Sequence, residues 1–309
     1  MKVSSAKYFL VAPPLLFFLA LSLIPLLLTL GLSLTDADLS GAGNWIGLSN
    51  YKALWSDRIF LRSYLNTLEY AVIGVPVQYV LGLVLAVFVA QFQHGRRLLR
   101  LIVLIPLMVA PLVVGFIWKT MLDSRLGPVD DLLRHLTGIA VPWLTDETLA
   151  FVSILVVDTW QWTPFMFLIL FAGIASMPRE PFEAAYVDGA SRWRVFWDIT
   201  FPMLGPASLA AVLLRGIEAF KIFDIVYYIT GGGPGSVTTS TTLTAYFTGL
   251  RSGHVGYGAA MTVILLLTVI AFGSLFPFAV KLITRQRGKT FARAVNRNIA
   301  ATNFGGVRA

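Results

Sequence analysis

The chain has no cysteine and is poor in histidine and in charge. Of its 309 residues, 13% are Asp, Glu, Lys or Arg, and 3 are histidine. The lack of cysteine excludes disulfides, zinc–thiolate sites and cysteine nucleophiles. His94, His135 and His254 form no pair at metal-ligand spacing, so we expect no metal site. Soluble domains carry about 25% charged residues, so this composition argues against a water-soluble globule.

Apolar residues are abundant: 57% of the chain is hydrophobic, and the mean hydropathy is +0.76. A helix needs about 20 apolar residues to cross the bilayer core. Six stretches meet this length, and we interpret the first as an uncleaved span because its apolar run is too long for a typical signal peptide. The sequence therefore predicts an all-α, multi-pass membrane protein whose single domain, 1–309, has six transmembrane helices: Phe9–Leu32, Thr67–Ala90, Leu98–Met121, Leu149–Ala175, Pro206–Thr230 and Tyr257–Ile283.

The formal net charge of +8 is unevenly distributed along this topology. Cytoplasmic loops carry an excess of Lys and Arg, so the basic segments indicate orientation. An inside N-terminus places most basic residues in the cytoplasm: Lys2, Lys7, Arg96, Arg97, Arg100, Arg179, Arg192, Arg194 and a basic tail, 284–309. Both termini are then cytoplasmic. The basicity is a topology signal and does not indicate nucleic-acid binding.

Two connecting segments differ from the other loops. The outside loop, 123–148, contains Leu126-Gly127-Pro128, the acidic pair Asp130 and Asp131, and Pro142-Trp143, which suits a short folded piece outside the membrane. The inside loop, 177–202, favours helix, turn and helix, with Gly189 at the turn. Its second helix carries aromatic residues at helical spacing, and aromatic and Arg side chains are typical of interface anchors. A further glycine-rich stretch, 231–235, predicts a turn outside the fifth span.

The inside loop resembles the EAA loop of the membrane subunits of binding-protein-dependent ABC importers. The matching pattern is Glu183-Ala184-Ala185, three residues, Gly189, nine residues, Ile199, then Phe201-Pro202. It departs from the family at Phe201, where Leu is usual. Further similarity covers most of the chain: Gly47-Leu48-Ser49-Asn50-Tyr51, the run Asp158 to Phe165, and 220–234. Together these segments resemble the first of the two permease subunits of maltose-type carbohydrate importers.

The resemblance implies that the loop docks into a cleft on an ATPase subunit and transmits its closure to the membrane helices. The small alanines permit close docking, although helix propensity alone would also explain them. The chain has no P-loop of its own, since 231–235 lacks the required Lys, so we expect no enzymatic activity or cofactor here. The residues implied in coupling are Glu183, Ala184, Ala185, Asp188, Gly189, Ile199 and Pro202. The implied partners are a second permease, an ATPase dimer holding ATP and Mg, and an extracytoplasmic binding protein that delivers a sugar.

Ionisable side chains inside spans are costly and tend to line a pathway. Glu69, Asp158, Glu218 and Asp224 lie in the predicted spans, with Arg215 and Lys221 nearby. On a helix, one face collects Asp158, Gln161, Trp162 and Phe165, whose carboxylate, amide and aromatic groups suit a sugar. The resemblance implies substrate contacts at these four residues. Alternatively, Asp158 ties neighbouring helices together and the Trp residues form an interfacial belt.

The resemblance also implies substrate contacts in the fifth span, at Arg215, Glu218, Ala219 and Ile222. Arg215 and Glu218 share a helix face, and Lys221 and Asp224 form a second pair at i, i+3. The maltose permease carries uncharged polar groups at several of these positions, so we do not expect maltose in the same pose. An Arg–Glu pair could bind hydroxyls, Arg215 could meet a phosphate or carboxylate, or the pair could satisfy itself.

The expected function is therefore the membrane-spanning subunit of an ATP-driven importer for a di- or oligosaccharide, in the cell (plasma or inner) membrane. A permease for a glycerol-3-phosphate-type solute or a polyol is the alternative within that class. A proton-coupled secondary transporter or channel would use the intramembrane acids differently, but the sequence has no visible inverted repeat. An intramembrane enzyme would need a paired nucleophile and base, and we find none.

Overall fold

The computed structural model describes residues 3–92 and 94–304, and the side chains of 11–92 and 94–281. This part of the chain is helical and contains no β-strand. The helices are α1 Val3–Ser33, α2 Ser49–Leu54, α3 Arg58–Ala90, α4 Arg96–Met108, α5 Pro111–Met121, α6 Pro128–Thr137, α7 Glu147–Ala175, α8 Glu180–Val187, α9 Arg192–Met203 with one π-helical turn, α10 Gly205–Ala219, α11 Asp224–Ile229, α12 Thr241–Tyr246 and α13 Val255–Phe304.

Four helices of the described chain, α1, α3, α7 and α13, are each long and apolar enough to cross a membrane. Two bent pairs pass the same test, α4 with α5 at 90° and α9 with α10 at 62°. The number of crossings reaches six if each bent pair is one span. The all-helical class is thus confirmed, but the third and fifth predicted spans are not continuous helices. The side chains of the basic tail predicted at 284–309 lie outside the described residues.

The predicted third helix, 98–121, is broken between α4 and α5. Val109 and Ala110 take extended backbone conformations, with ψ 131° and 137°. Pro111 explains the break, because proline disfavours the helical conformation in the residue before it. The prediction of one uninterrupted helix over this stretch was therefore wrong.

The predicted fifth helix, 206–230, is also wrong as a single element, because α10 ends at Ala219 and α11 begins at Asp224. At the break, the carbonyl of Ile222 accepts hydrogen bonds from Ser240 Oγ at 2.7 Å and Thr242 Oγ1 at 2.6 Å. These hydroxyls come from a buried segment that follows the glycine-rich turn and is hydrogen-bonded to Asn66 and Thr67 of α3. They provide the hydrogen bonds that the Ile222 carbonyl lacks because the helix is interrupted.

Helices α3 and α7 pack against each other through the centre of the described chain. Gly82 on α3 permits this approach, because a Cβ at that position would lie 2.5 Å from the Cβ of Met166 on α7. Met166, Phe167 and Leu170 form a fully buried row on the same face of α7. The centre of the fold is therefore the surface of α7 that faces α3 and α10, where these three side chains are fully buried.

The segment predicted as a folded piece between the third and fourth spans contains α6. Its Asp130 is buried, and its carboxylate accepts hydrogen bonds from the Val141 amide at 2.9 Å and from Arg134 at 2.7 Å. The Val141 amide first, and then the Arg134 guanidinium, hold the pKa of Asp130 below its usual value. An ionised carboxylate thus ties α6 to the chain that leads into α7.

Candidate functional site

A buried polar triad joins α3, α7 and α10. Asp158, Arg215 and Gln78 are 3%, 1% and 0% exposed. Gln78 Nε2 donates to Asp158 Oδ2 at 2.8 Å, Arg215 Nε donates to Gln78 Oε1 at 2.7 Å, and Arg215 Nη2 also donates to Asp158 Oδ2. Each of the three side chains is therefore hydrogen-bonded to the other two. A buried ion pair is tolerated only when its charged groups have such partners.

Two aromatic side chains adjoin this triad. The Arg215 guanidinium carbon lies 4.7 Å from the centre of the Trp162 ring, and Phe165 meets that ring edge to face at 5.9 Å. Both aromatic side chains are partly exposed, unlike Asp158 and Arg215. The cation–π contact fixes the indole plane from one side. The predicted residues Asp158, Trp162, Phe165 and Arg215 thus lie in one cluster, with only the aromatics at its surface.

Gln161, predicted on the same face, serves the broken third span. Its Nε2 donates to the carbonyl of Val109 at 3.1 Å, in the break between α4 and α5. Its Oε1 is buried without a hydrogen-bond partner in the described chain. The Gln161 amide therefore provides a hydrogen bond to the Val109 carbonyl, which has no partner within the broken helix. Among the described residues, its own oxygen, Oε1, remains an unpaired acceptor.

The charges of the fifth span pair differently from the predicted pattern. Arg215 turns to Asp158, whereas Glu218 pairs with Lys221 at 2.7 Å, and among the described residues no ion pair joins Lys221 to Asp224. The Arg215–Glu218 and Lys221–Asp224 pairings were therefore wrong. Ala219 and Ile222 are buried in the core, and Glu218 remains partly exposed. Arg215 and Glu218 do lie on one helix, as predicted, but the contact with α7 makes Asp158 the partner of Arg215.

The segment compared with the EAA loop forms helix, turn and helix, as predicted. Helix α8 ends at Val187, Asp188 is its C-cap residue, and Gly189 takes a φ of +72°, a conformation that favours glycine. Its amide donates to the Tyr186 carbonyl at 3.1 Å, and the next amide, of Ala190, donates to Ala185 at 2.9 Å. These bonds close a compact turn between α8 and α9.

Most of the predicted coupling residues lie on the surface of this loop. Glu183, Ala184, Asp188, Gly189 and Pro202 are exposed, and Ala185 and Ile199 are partly exposed. A cavity of about 200 Å³ brings together Ala185, Asp188 and Ile199 with Arg194, Val195 and Asp198. The loop therefore presents small side chains, an acidic group and a hollow on one accessible surface.

Gln78 is the member of the polar triad that the sequence did not predict. It lies within an apolar stretch of α3, between Val77 and Tyr79. Gln78 carries no charge and has no charged neighbour in the sequence, but a buried amide can bridge an acid and a base by donating to one and accepting from the other. An amide within an apolar membrane-spanning stretch is the sequence signal that distinguishes Gln78.

Comparison with known sequences gives consistent matches over most of the chain. The model of the family described as "Binding-protein-dependent transport system inner membrane component" matches residues 78–288. The trehalose/maltose permease protein of Thermococcus litoralis is 36% identical over 275 residues, 88% of this chain and 93% of the relative. The trehalose permease protein of Mycobacterium tuberculosis is 34% identical, covering 86% of each. The sn-glycerol-3-phosphate permease protein of Agrobacterium fabrum is 32% identical, covering 85% of this chain and 90% of the relative.

Comparison with solved structures gives the same fold. A chain of a bacterial ABC transporter involved in the import of the acidic polysaccharide alginate superposes with a TM-score of 0.80, covering 90% of this chain and 96% of that one. The alginate transporter in complex with its pentasaccharide-bound periplasmic protein gives a TM-score of 0.78, covering 88% and 92%. Both share 20% sequence identity with this chain, so the likeness concerns the fold.

Proposed function

The chain belongs to the family of binding-protein-dependent transport system inner membrane components, and from that premise we propose how it handles its solute. It is a multi-pass membrane subunit of a sugar ABC importer and performs no ATP hydrolysis itself. Family membership sets aside the alternative of a proton-coupled secondary transporter.

We propose that a neutral di- or oligosaccharide contacts the partly exposed side of the Trp162 and Phe165 rings. The observation that carries this proposal is the Arg215 guanidinium packed 4.7 Å from the centre of the Trp162 ring and held by Asp158 and Gln78. An indole fixed on one side offers its exposed part to the apolar C–H face of a sugar. Glu218 is the accessible polar group of the predicted set, whereas Asp158, Gln161, Arg215, Ala219 and Ile222 are buried.

The charge balance favours a neutral sugar over a phosphorylated solute. Arg215 is buried, and Asp158 already neutralises its charge. Pulling the guanidinium towards a phosphate would leave a buried carboxylate unpaired, which is costly. A permease for glycerol-3-phosphate-type solutes remains the second candidate, because one relative of this chain carries that name.

We propose that the exposed face of the α8–α9 loop docks on an ATPase subunit that holds ATP and Mg. Its exposed Glu183 offers a charge to a basic partner, and Ala184 and Ala185 permit close approach. Closure of the ATPase dimer would then move α9 and α10, which are joined end to end. A second permease would complete the pathway, and an extracytoplasmic binding protein would deliver the sugar.

Substitution of Trp162 tests the sugar contact. We expect Trp162→Ala to raise the KM for sugar uptake about tenfold, equivalent to the loss of about 1.4 kcal/mol of binding. Trp162→Phe should keep most of the affinity, because it retains an aromatic ring. The measurement is ATP-driven uptake of trehalose and of maltose by the complete importer in proteoliposomes, with glycerol 3-phosphate as the competing anion.

Trp160→Ala is the matched control, since Trp160 is exposed on another face of α7 and contacts Trp118 at 5.7 Å. It should change the KM by less than about twofold. Equal effects of both substitutions would contradict the sugar contact. Stronger competition by glycerol 3-phosphate than by either disaccharide would favour the phosphorylated solute.

A further inference from the structure

Helix α4 begins with three arginines and no acidic residue. Arg96, Arg97 and Arg100 occupy its first five positions, and its first turn has neither an acidic residue nor a side-chain cap. The positive end of the helix dipole lies at the same place, so basic side chains are unfavourable there. Arg96 and Arg100 are also spaced at i, i+4, where like charges repel. An anion beside this turn would relieve all three effects.

Two of these arginines converge on one aromatic ring of α7. The guanidinium carbons of Arg96 and Arg100 lie 4.6 Å and 5.4 Å from the centre of the Phe171 ring. The Nε atoms of both are buried and have no hydrogen-bond partner. Within the described chain, no carboxylate forms an ion pair with Arg96, Arg97 or Arg100. Two cations thus lie together without a counterion, although buried donors are normally satisfied.

Arg97 and Arg100 lie at one end of an open groove between α4 and α7, and Arg96 adjoins it through its contact with Phe171. The groove has a volume of about 610 Å³, and beyond Arg97 and Arg100 its walls are mostly apolar, formed by Leu101, Leu104, Leu168, Phe171, Ala172 and Ala175 with Ser176. Leu101 and Leu168 are exposed. The groove is therefore positively charged at the N-terminal end of α4 and apolar along the rest of its length.

We propose that this groove binds an anionic phospholipid. The headgroup phosphate would accept hydrogen bonds from the arginines, and one acyl chain would lie along Leu101, Leu104 and Leu168. Charge complementarity selects the anionic class, because a zwitterionic headgroup brings its own cation to a site that already has three. Basic pockets between membrane helices are a recurrent way to hold such headgroups.

The absence of cysteine permits a clean test with one fluorophore. Leu101→Cys is labelled with bimane in the complete importer, which is reconstituted in vesicles containing phosphatidylcholine and phosphatidylglycerol. Bromines on the acyl chains of one lipid or the other quench the dye. We expect brominated phosphatidylglycerol to quench at least about twofold more than brominated phosphatidylcholine at equal mole fraction, because the arginines concentrate it. Free phosphate cannot mimic this signal, since the quencher is on the acyl chain.

The arginines are then removed in the labelled protein. Arg96→Ala with Arg100→Ala should abolish the excess quenching by phosphatidylglycerol, whereas Arg179→Ala, which removes an exposed arginine elsewhere on the same predicted side, should leave it unchanged. Equal quenching by the two lipids in labelled Leu101→Cys that keeps all three arginines would overturn the proposal. Absence of quenching by either would also overturn it, because a protein partner would then cover the groove. Neither result bears on sugar contact at Trp162.

Discussion

The buried pair of Asp158 and Arg215 illustrates the free-energy cost of burying a charged side chain in this fold. Moving a charge from water into the helix interior is unfavourable by several kcal/mol, and only a well-placed partner offsets it. Gln78 adds one hydrogen bond to each member of the pair, so the triad forms a closed set. The sequence identified Asp158 and Arg215 as notable. The sequence could not predict that they pair, because they lie on two different helices and local residue spacing carries no information about contacts between helices.

Breaking the triad should separate its structural role from its contact with solute. We expect Arg215→Met to destabilise the importer by about 3–5 kcal/mol, because Asp158 would become a buried unpaired charge. Adding Asp158→Leu should recover more than half of that loss. The measurement is thermal unfolding of the purified complex in detergent, with solute absent.

Lys221→Met provides the comparison, since it breaks the accessible pair with Glu218. It should cost less than about 1 kcal/mol, as accessible ion pairs usually do. If the double variant were no more stable than Arg215→Met alone, the pair would not act as a mutually neutralising unit. Uptake by a stable double variant would further show that neither charge touches the sugar.

At the scale of elements, the sequence located the apolar helices well and their interruptions poorly. Apolar length predicted both ends of α7 closely and the C-terminal end of α3, but α3 begins at Arg58 and not at the predicted Thr67. The break before Pro111 follows from local chemistry and was open to prediction. The break after Ala219 depends on hydroxyls of Ser240 and Thr242 that lie about 20 residues further along the chain. Such a long-range partner is invisible in the local pattern.

The α8–α9 turn provides a prediction at the same scale. Gly189→Pro should abolish ATP-driven uptake while leaving membrane insertion intact. Proline fixes φ near −65°, whereas the turn requires +72°, and it also removes the amide that donates to Tyr186. The measurement pairs uptake in proteoliposomes with co-purification of the ATPase subunit.

Gly205→Ala is the matched glycine control. Gly205 begins α10 with φ outside the left-handed region, and an added Cβ would meet nothing within 4 Å. This variant should transport normally. Normal uptake by Gly189→Pro would show that the turn is not the coupling element, and equal loss in both variants would point to general damage of the α9–α10 region.

At the scale of the whole molecule, charge and hydropathy together specify an orientation. Helix α4 begins with Arg96, Arg97 and Arg100, and α9 begins with Arg192 and Arg194, whereas the first turn of α6 carries acidic residues. The positive-inside rule therefore places the first two segments in the cytoplasm and α6 outside. The proposed ATPase surface and the groove headed by Arg97 and Arg100 then lie on the same side of the membrane, and α6 lies on the opposite side.

Cysteine labelling tests that orientation directly, because the native chain has no cysteine to interfere. Leu126→Cys lies just before α6 at an exposed position, and His94→Cys lies in the exposed turn before α4. We expect a membrane-impermeant maleimide to label Leu126→Cys in intact cells and His94→Cys only after permeabilisation. Leu250→Cys, exposed between α12 and α13, should behave like Leu126→Cys. The reverse pattern would invert the topology and place the α8–α9 loop outside, where no ATPase could dock.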